Sequence, residues 1–435
     1  MRAPTPTPHI RRMICSISAS PPVQFRIMPL PHQSQGFPKE LAIHQPGTYR
    51  RLVFDRDHHY LNVVPIRAMY SPLLLNAICT ASARYLTQIW SRREPHSIVS
   101  YNGTELPGLT EESVIHYHNK CISELMDVSA DPINSCSDDA LTAITILRYH
   151  EQVDIQAVFQ AQQDRSLGQW RLTLQPPRDR DMFAVSMPSL RHSACLIALR
   201  QEIWSVLIHR RPFRLPILTV DDYANFDDTN TLDDHDWTNC VIFWCAHVLK
   251  FCFSDEGFLS VENKRTRSEQ WNALKAFEKN WDERPPPHFA PLYYEERNPI
   301  EGRYFPTIWL ANHSQVMALQ HVELARIVLA VHDSKLQRIG IGASAAYQAL
   351  EEVLRQSTRR ICALGMGDLK FQATMVTAGV GISMCGEYFH DAGEQAAIIN
   401  VLTTLESEHA WPTSTAVDAL QTAWNEHRAR NTGKI

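Results

Sequence analysis

Residues 196–216 read LIALRQEIWSVLIHRRPFRLP, and the fold is decided there. Leu196, Ile197, Leu199, Ile203, Val206 and Leu207 recur at three-to-four spacing, one broad apolar face of a helix. Arg200, Gln201 and Glu202 are set among them. The helix must end near Arg210-Arg211-Pro212, because Pro212 and Pro216 each lack an N–H and restrict the preceding residue. A largely buried helix carrying an Arg and a Glu, leaving through a basic proline-flanked loop, belongs at the centre of a larger helical body.

The surrounding chain fits that expectation. It has 435 residues, 44% hydrophobic and 20% charged, enough for a large core. The net charge of −5 gives no global signal for nucleic-acid binding. With 16 glycines, Gly-rich phosphate loops and many tight hairpins are disfavoured. No apolar run reaches the roughly 18 residues of a membrane span, and no signal-peptide core is present. The ten cysteines include no C-x-x-C pair and mostly sit in apolar helical runs, which suggests reduced thiols in a core. Cys240, Cys245 and Cys252 share one expected helix at spacings that match no zinc module.

Residues 1–40 are rich in Pro, Ser and Arg, with no acidic residue before Glu40, and the reading extends a mostly disordered arm over 1–65. Its Arg2, Arg11, Arg12 and Arg26 are compatible with a transit peptide, but five early prolines oppose the amphipathic helix that would require. A helical domain then covers 66–430, with a poorly ordered Gln-rich and Pro-rich insert near 155–190. Ser71-Pro72, Thr110-Glu111-Glu112 and Ser137-Asp138-Asp139 mark helix starts. Further helices are expected at about 237–254, 267–283, 308–332, 342–364, 370–388, 392–409 and 413–427. Sustained period-2 alternation is absent, so no sheet is expected. The fold class is all-α, an irregular multi-helix bundle or solenoid-like stack without a fixed repeat.

Several constellations could carry chemistry. Asp221, Asp222, Asp227, Asp228, Asp233, Asp234 and Asp236 form an acidic run that suggests a magnesium–diphosphate enzyme. The turn-forming residues between them, and the lack of a second ligand motif, favour a solvated loop. His150-Glu151 begins a zinc-protease pattern, but Asp154 stands where the second histidine belongs. Glu406-x-x-His409 has carboxylate-bridged iron spacing without a second copy, so a helix-end histidine is the better reading. In 308–332, Asn312, His313, Gln315, Gln320, Glu323 and Arg326 share an arc and His321 lies opposite among apolar residues. No catalytic residue, metal ligand or cofactor is assigned. Arg200, Glu202, Arg211 and His321 form the candidate effector-binding set, with core organisation as the plainer alternative.

Residues 75–84 (LNAICTASAR) resemble the first helix of the fungal-specific transcription factor domain, the regulatory domain of binuclear zinc-cluster regulators. Glu112–Ile122 resembles its next helix. Leu199-Arg200-Gln201-Glu202-Ile203 with Arg211-Pro212 and Leu215-Pro216 resembles its central block. Pro306-x-Ile308-Trp309, Leu319-Gln320-His321, Leu324-Ala325-Arg326-Ile327 and Glu408-His409-Ala410-Trp411-Pro412-Thr413 resemble later blocks. The resemblance runs in order over about 60–427. It implies an all-α, non-enzymatic regulatory domain in the nucleus, acting through coregulators, a homo- or heterodimer partner, or a small-molecule effector. Before Cys79 there is one cysteine, Cys15, so the six-cysteine DNA-binding cluster is not in this sequence. DNA contact is then indirect unless such a cluster precedes Met1. A magnesium enzyme using Asp221–Asp236 and a non-transcriptional helical scaffold are the alternatives.

Overall fold

The computed structural model describes residues 55–56, 58–93, 98–101, 104–106, 108–130, 137–153, 189–215, 232–253, 266–369 and 371–432. Among them the fold is all-α, and the chain forms two compact units, dividing within one helix after Ile197. The insert near 155–190 lies almost entirely outside the described residues.

The first unit contains α1 (His59–Asn62), α2 (Val64–Ala68), α3 (Pro72–Arg93), β1 (Ser100–Tyr101), β2 (Thr104–Glu105), α4 (Glu111–Ala130), α5 (Asp138–Val153) and the start of α6 (Leu190–His209). The starts of α3, α4 and α5 fall where the capping residues place them. Ser137 Oγ accepts from Ala140 N at 3.2 Å, and Thr110 and Ser113 exchange side-chain and backbone bonds at the head of α4. Cys79, Ala83 and Leu86 of α3 pack with Val114 and Tyr117 of α4, over Val99, Leu106 and Leu109.

α1 and the start of α2 lie before residue 65. The buried Asp55 carboxylate accepts from the backbone N–H groups of His59 and Tyr60, both at 2.6 Å, and from Ser193 Oγ at 3.1 Å. Tyr60 Oη shares a 2.6 Å bond with Thr145 Oγ1, and burial pushes its phenol up. One carboxylate thereby satisfies a helix start and ties it to α6.

The second unit holds the rest of α6, then α7 (Asp234–Phe253), α8 (Arg267–Glu283), β3 (Tyr293–Glu295), β4 (Thr307–Trp309), α9 (His313–Val331), α10 (Ala343–Met366), α11 (Gln372–Cys385), α12 (Ala392–His409) and α13 (Ser414–Thr432). Short 3₁₀ turns lie at Pro287–Phe289, Pro299–Glu301 and Gly386–Tyr388. α7, α9, α10 and α11 are the inner helices. Trp237, Trp244, Met317, Leu324, Ile361 and Ile382 have almost no solvent contact. Trp244 stacks on Phe277 of α8, centroids 4.7 Å apart, and donates Nε1–H to Leu274 O at 3.1 Å. α11 runs so close to α12 that a Cβ on Gly379 would sit 2.9 Å from Leu405 Cδ2.

The expectation of no sheet needs correction. β1–β2 and β3–β4 are antiparallel two-stranded ribbons, the second pairing Tyr293 with Trp309 and Glu295 with Thr307. The helix expected from residue 308 starts later, at His313. Asn312 is its N-cap, accepting from Gln315 N at 3.1 Å. The preceding β-branched and aromatic residues Thr307-Ile308-Trp309 favour strand pairing, and Ile308 packs against Val316, Ala363 and Leu364.

Candidate functional site

The four candidate residues fall into two pairings within the second unit. Glu202, on the buried face of α6, receives both arms of Arg211. Nη1 reaches Oε1 at 2.7 Å and Nη2 reaches Oε2 at 2.8 Å. Arg214 N also donates to Glu202 Oε1 at 2.9 Å, and Arg211 Nη2 to Ser205 Oγ at 2.9 Å. Arg210 takes a left-handed conformation (φ 49°), which turns the chain back so that Arg211 meets the helix it has just left. A bidentate guanidinium–carboxylate pair at a buried carboxylate is geometrically demanding. Here it fastens the exit of α6.

The second pairing is electrostatic. The Arg200 guanidinium lies over the Trp204 ring, 5.1 Å from its centroid. Trp204 donates Nε1–H to Thr377 Oγ1 at 3.2 Å and meets Trp411 edge-on. His321 is fully buried and donates Nδ1–H to Met317 O at 2.8 Å. Burial pushes its pKa down to about 4; the nearby Arg200 charge adds to the effect and the bond to Met317 O opposes it. His321 is therefore neutral, and among the described residues Nε2 has no hydrogen-bond partner.

The polar arc on α9 is largely internal. Gln320 Nε2 is placed between Ile361 O and Thr374 O, 3.0 Å from each. Glu323 accepts from Ser357 Oγ at 2.8 Å and pairs with Arg326 and Arg360 at 2.9 and 3.0 Å. His313 bonds Asp368 through Nδ1 while its ring stacks on Phe371.

A denser cluster, missed by the sequence reading, joins the heads of α7 and α9. Asp234 accepts from Asn312 Nδ2, from Gln315 Nε2 at 3.2 Å and pairs with His288 Nε2 at 3.2 Å. Gln315 Nε2 also donates to His288 O at 2.7 Å, and Ala311 N to Gln315 Oε1 at 3.0 Å. Asp233 Oδ1 caps α7, accepting from His235 N and Asp236 N at 2.9 and 3.0 Å. Asp233 and Asp234, two of the acidic run, thus serve helix starts. Asp221, Asp222, Asp227 and Asp228 lie outside the described residues, as do the side chains of His150 and Glu151. The only signal for this cluster in sequence is the pair of capping residues, since His288 comes from a distant segment.

Glu406-x-x-His409 lies at the end of α12. His409 Nε2 donates to Leu369 O at 2.8 Å, and Glu406 Oε2 accepts from Thr413 Oγ1 at 2.7 Å. Ala410 follows in the left-handed region, φ 55°. Cys240, Cys245 and Cys252 share α7. Burial pushes Cys252 up to about 12 and raises Cys245 as well, so neither is a thiolate at neutral pH. Among the described residues no group of three or more His, Cys, Asp or Glu is placed to hold a metal ion, and no helix is long and apolar enough to cross a membrane.

No family model, no curated protein and no solved structure matches the chain.

Proposed function

We propose that this chain is a helical regulatory domain of a nuclear transcription regulator, working by binding protein partners or a small effector rather than by catalysis. The support is the ordered resemblance to the fungal-specific transcription factor domain over about 60–427, together with the use its polar residues are put to. The observation that carries the reading is the Glu202–Arg211 lock. Both residues belong to the central block of the resemblance, and both are spent on the helix exit rather than presented to a substrate. Gln320 and His409, from later blocks, bond backbone carbonyls in the same manner.

Fusion of the whole chain to a heterologous DNA-binding domain tests this. The expected result is a severalfold change in reporter output relative to the DNA-binding domain alone, with a fluorescently tagged chain accumulating in the nucleus. Unchanged output together with exclusion from the nucleus would sink the reading.

A further inference from the structure

We propose that the stacked imidazoles of His390 and His427 are a proton-sensitive clasp, which holds the last turns of α13 to the turn between α11 and α12 and releases them as pH falls below neutrality. The clasp does not depend on what the chain regulates.

The sequence of α13 shows why a clasp matters there. Leu420, Trp424 and His427 follow at helical spacing and form its inward stripe. Leu420 and Trp424 are buried. At the next turn the stripe is continued by a histidine in place of an apolar residue, and every residue from Asn425 to Arg430 is exposed. Hydrophobic burial thus stops at Trp424. Beyond it the His427 ring lies on that of His390, with centroids 4.3 Å apart and planes 13° from parallel. Arg428 Nη1 donates to Gln395 Oε1 at 3.3 Å.

His390 is anchored from the other side. It stands between the 3₁₀ turn Gly386–Tyr388 and Asp391, the N-cap of α12, whose Oδ1 accepts from Glu394 N at 2.9 Å. Phe389 beside it has no solvent contact. One ring of the stack therefore sits on packed backbone, and the other on a helix end that has left the core.

The charges around the pair make it sensitive to protons. Two neutral imidazoles stack, whereas two imidazoliums at this separation repel. His390 faces Arg355 and Glu351 of α10, Glu394 of α12 and His427 itself. Glu387 and Tyr388 precede it in the turn, and Glu426 and Arg428 flank His427 on α13. Glu394 already accepts from Arg297 and Arg359 at 2.8 and 2.7 Å. Glu351 contacts Arg355 at 3.5 Å, and Glu426 pairs with Arg430 at 3.1 Å. These three carboxylates are thus already shared with arginines. Burial, then His427 and Arg355, hold the His390 pKa below the ordinary 6.5. Detachment of the helix end removes those influences, so the detached form binds a proton first as pH falls. Attachment is whole above pH 6.5 and weakens below it.

Amide hydrogen exchange of the full chain tests the proposal, corrected for the intrinsic pH dependence of exchange and referred to α12. Between about pH 7.5 and about pH 5.5, the range over which histidine changes charge, protection over 425–432 is expected to fall severalfold while α12 holds. His427→Phe keeps a flat ring against His390 but removes the second charge, and a protonated His390 is then attracted to the ring face. This variant is expected to match wild type at the higher pH and to lose most of the acid response. His427→Lys places a fixed charge against His390 and is expected to show low protection at both values. Wild-type protection that does not respond to pH would overturn the proposal. So would an acid response undiminished in His427→Phe, or a lysine variant as well protected as wild type at the higher pH.

Discussion

α9 and α13 have the same length, 19 residues each, yet they hold to the second unit by opposite means. α9 is buried on nearly every side, polar residues included: Gln315, Gln320, His321 and Glu323 are inside with Met317 and Leu324. α13 buries Leu420 and Trp424 and leaves most of its remaining residues in water. Trp424 Nε1 donates to Gly386 O at 3.0 Å, and Leu420 lies against Gly386 closely enough that a Cβ there would meet it at 2.8 Å. The difference teaches what a polar residue on a helix means. On α13 it marks the wet side. On α9 it marks where a neighbouring helix leaves a backbone carbonyl or a charge to be satisfied, because a buried polar group without a partner is costly.

The largest expected effect comes from making the same substitution in both helices. Leu324→Ala, at a position with no solvent contact, should cost about 2–5 kcal/mol of global stability. Leu420→Ala should instead loosen α13 locally. Hydrogen exchange would show loss of protection confined to α13, with the main unfolding transition little changed. Equal global losses from the two would erase the distinction.

Next in size is the Glu202–Arg211 pair. The Glu202 side chain is 2% exposed and that of Arg211 19%. Glu202→Ala strands the guanidinium and the Arg214 N–H together, for an expected cost of about 3 kcal/mol, less than a fully buried pair would lose. The rim pair Arg303–Glu295, 2.8 Å apart with side chains 30% and 40% exposed, supplies the contrast. Glu295→Ala should cost under ~1 kcal/mol in the same denaturant titration.

His321 turns the comparison into a pH dependence. Its pKa in the folded chain is about 4, mainly through burial, against about 6.5 unfolded. The unfolded state therefore takes up a proton first as pH falls. The stability associated with neutral His321 is whole above pH 6.5 and is lost progressively down to about pH 4, amounting to about 3 kcal/mol. His247, pushed down to about 3 by burial with Lys250 adding, acts in the same direction and over a longer range. His321→Gln should flatten the slope of stability against pH between 6.5 and 4 by about one proton. An unchanged slope would mean that His321 is not buried neutral.

Most helices were legible because their apolar stripes and caps agree. The expected 267–283 and 392–409 coincide with α8 and α12. What failed was short or non-local. α1 and α2 have four and five residues, too few for periodicity, and Asp55 finds Ser193 only once the chain is folded. β4 has three residues and adjoins a helix whose hydrophobicity masks it. In the candidate site, the apolar context of Arg200, Glu202 and His321 correctly indicated burial. The partner of Glu202 was not readable, since it depends on the left-handed turn at Arg210. The meeting of Asp234 with His288 is not readable in the sequence because it is tertiary.

The smallest effect is expected from the cap of α8, which stands between the two extremes. Leu274, Phe277 and Trp281 bury one face while the helix head is exposed. Thr266 Oγ1 accepts from Glu269 N at 3.2 Å, and Glu269 Oε2 accepts from Thr266 N at 2.6 Å. Each satisfies an N–H that the first helical turn cannot. Thr266→Ala should then cost about 1 kcal/mol. Because α8 has both a buried face and an exposed start, the loss should divide, appearing as faster exchange in the first turn and as a small drop in global stability. A loss confined to the first turn would class α8 with α13. A purely global loss would class it with α9, and would mean that burial governs even a helix whose head is in water.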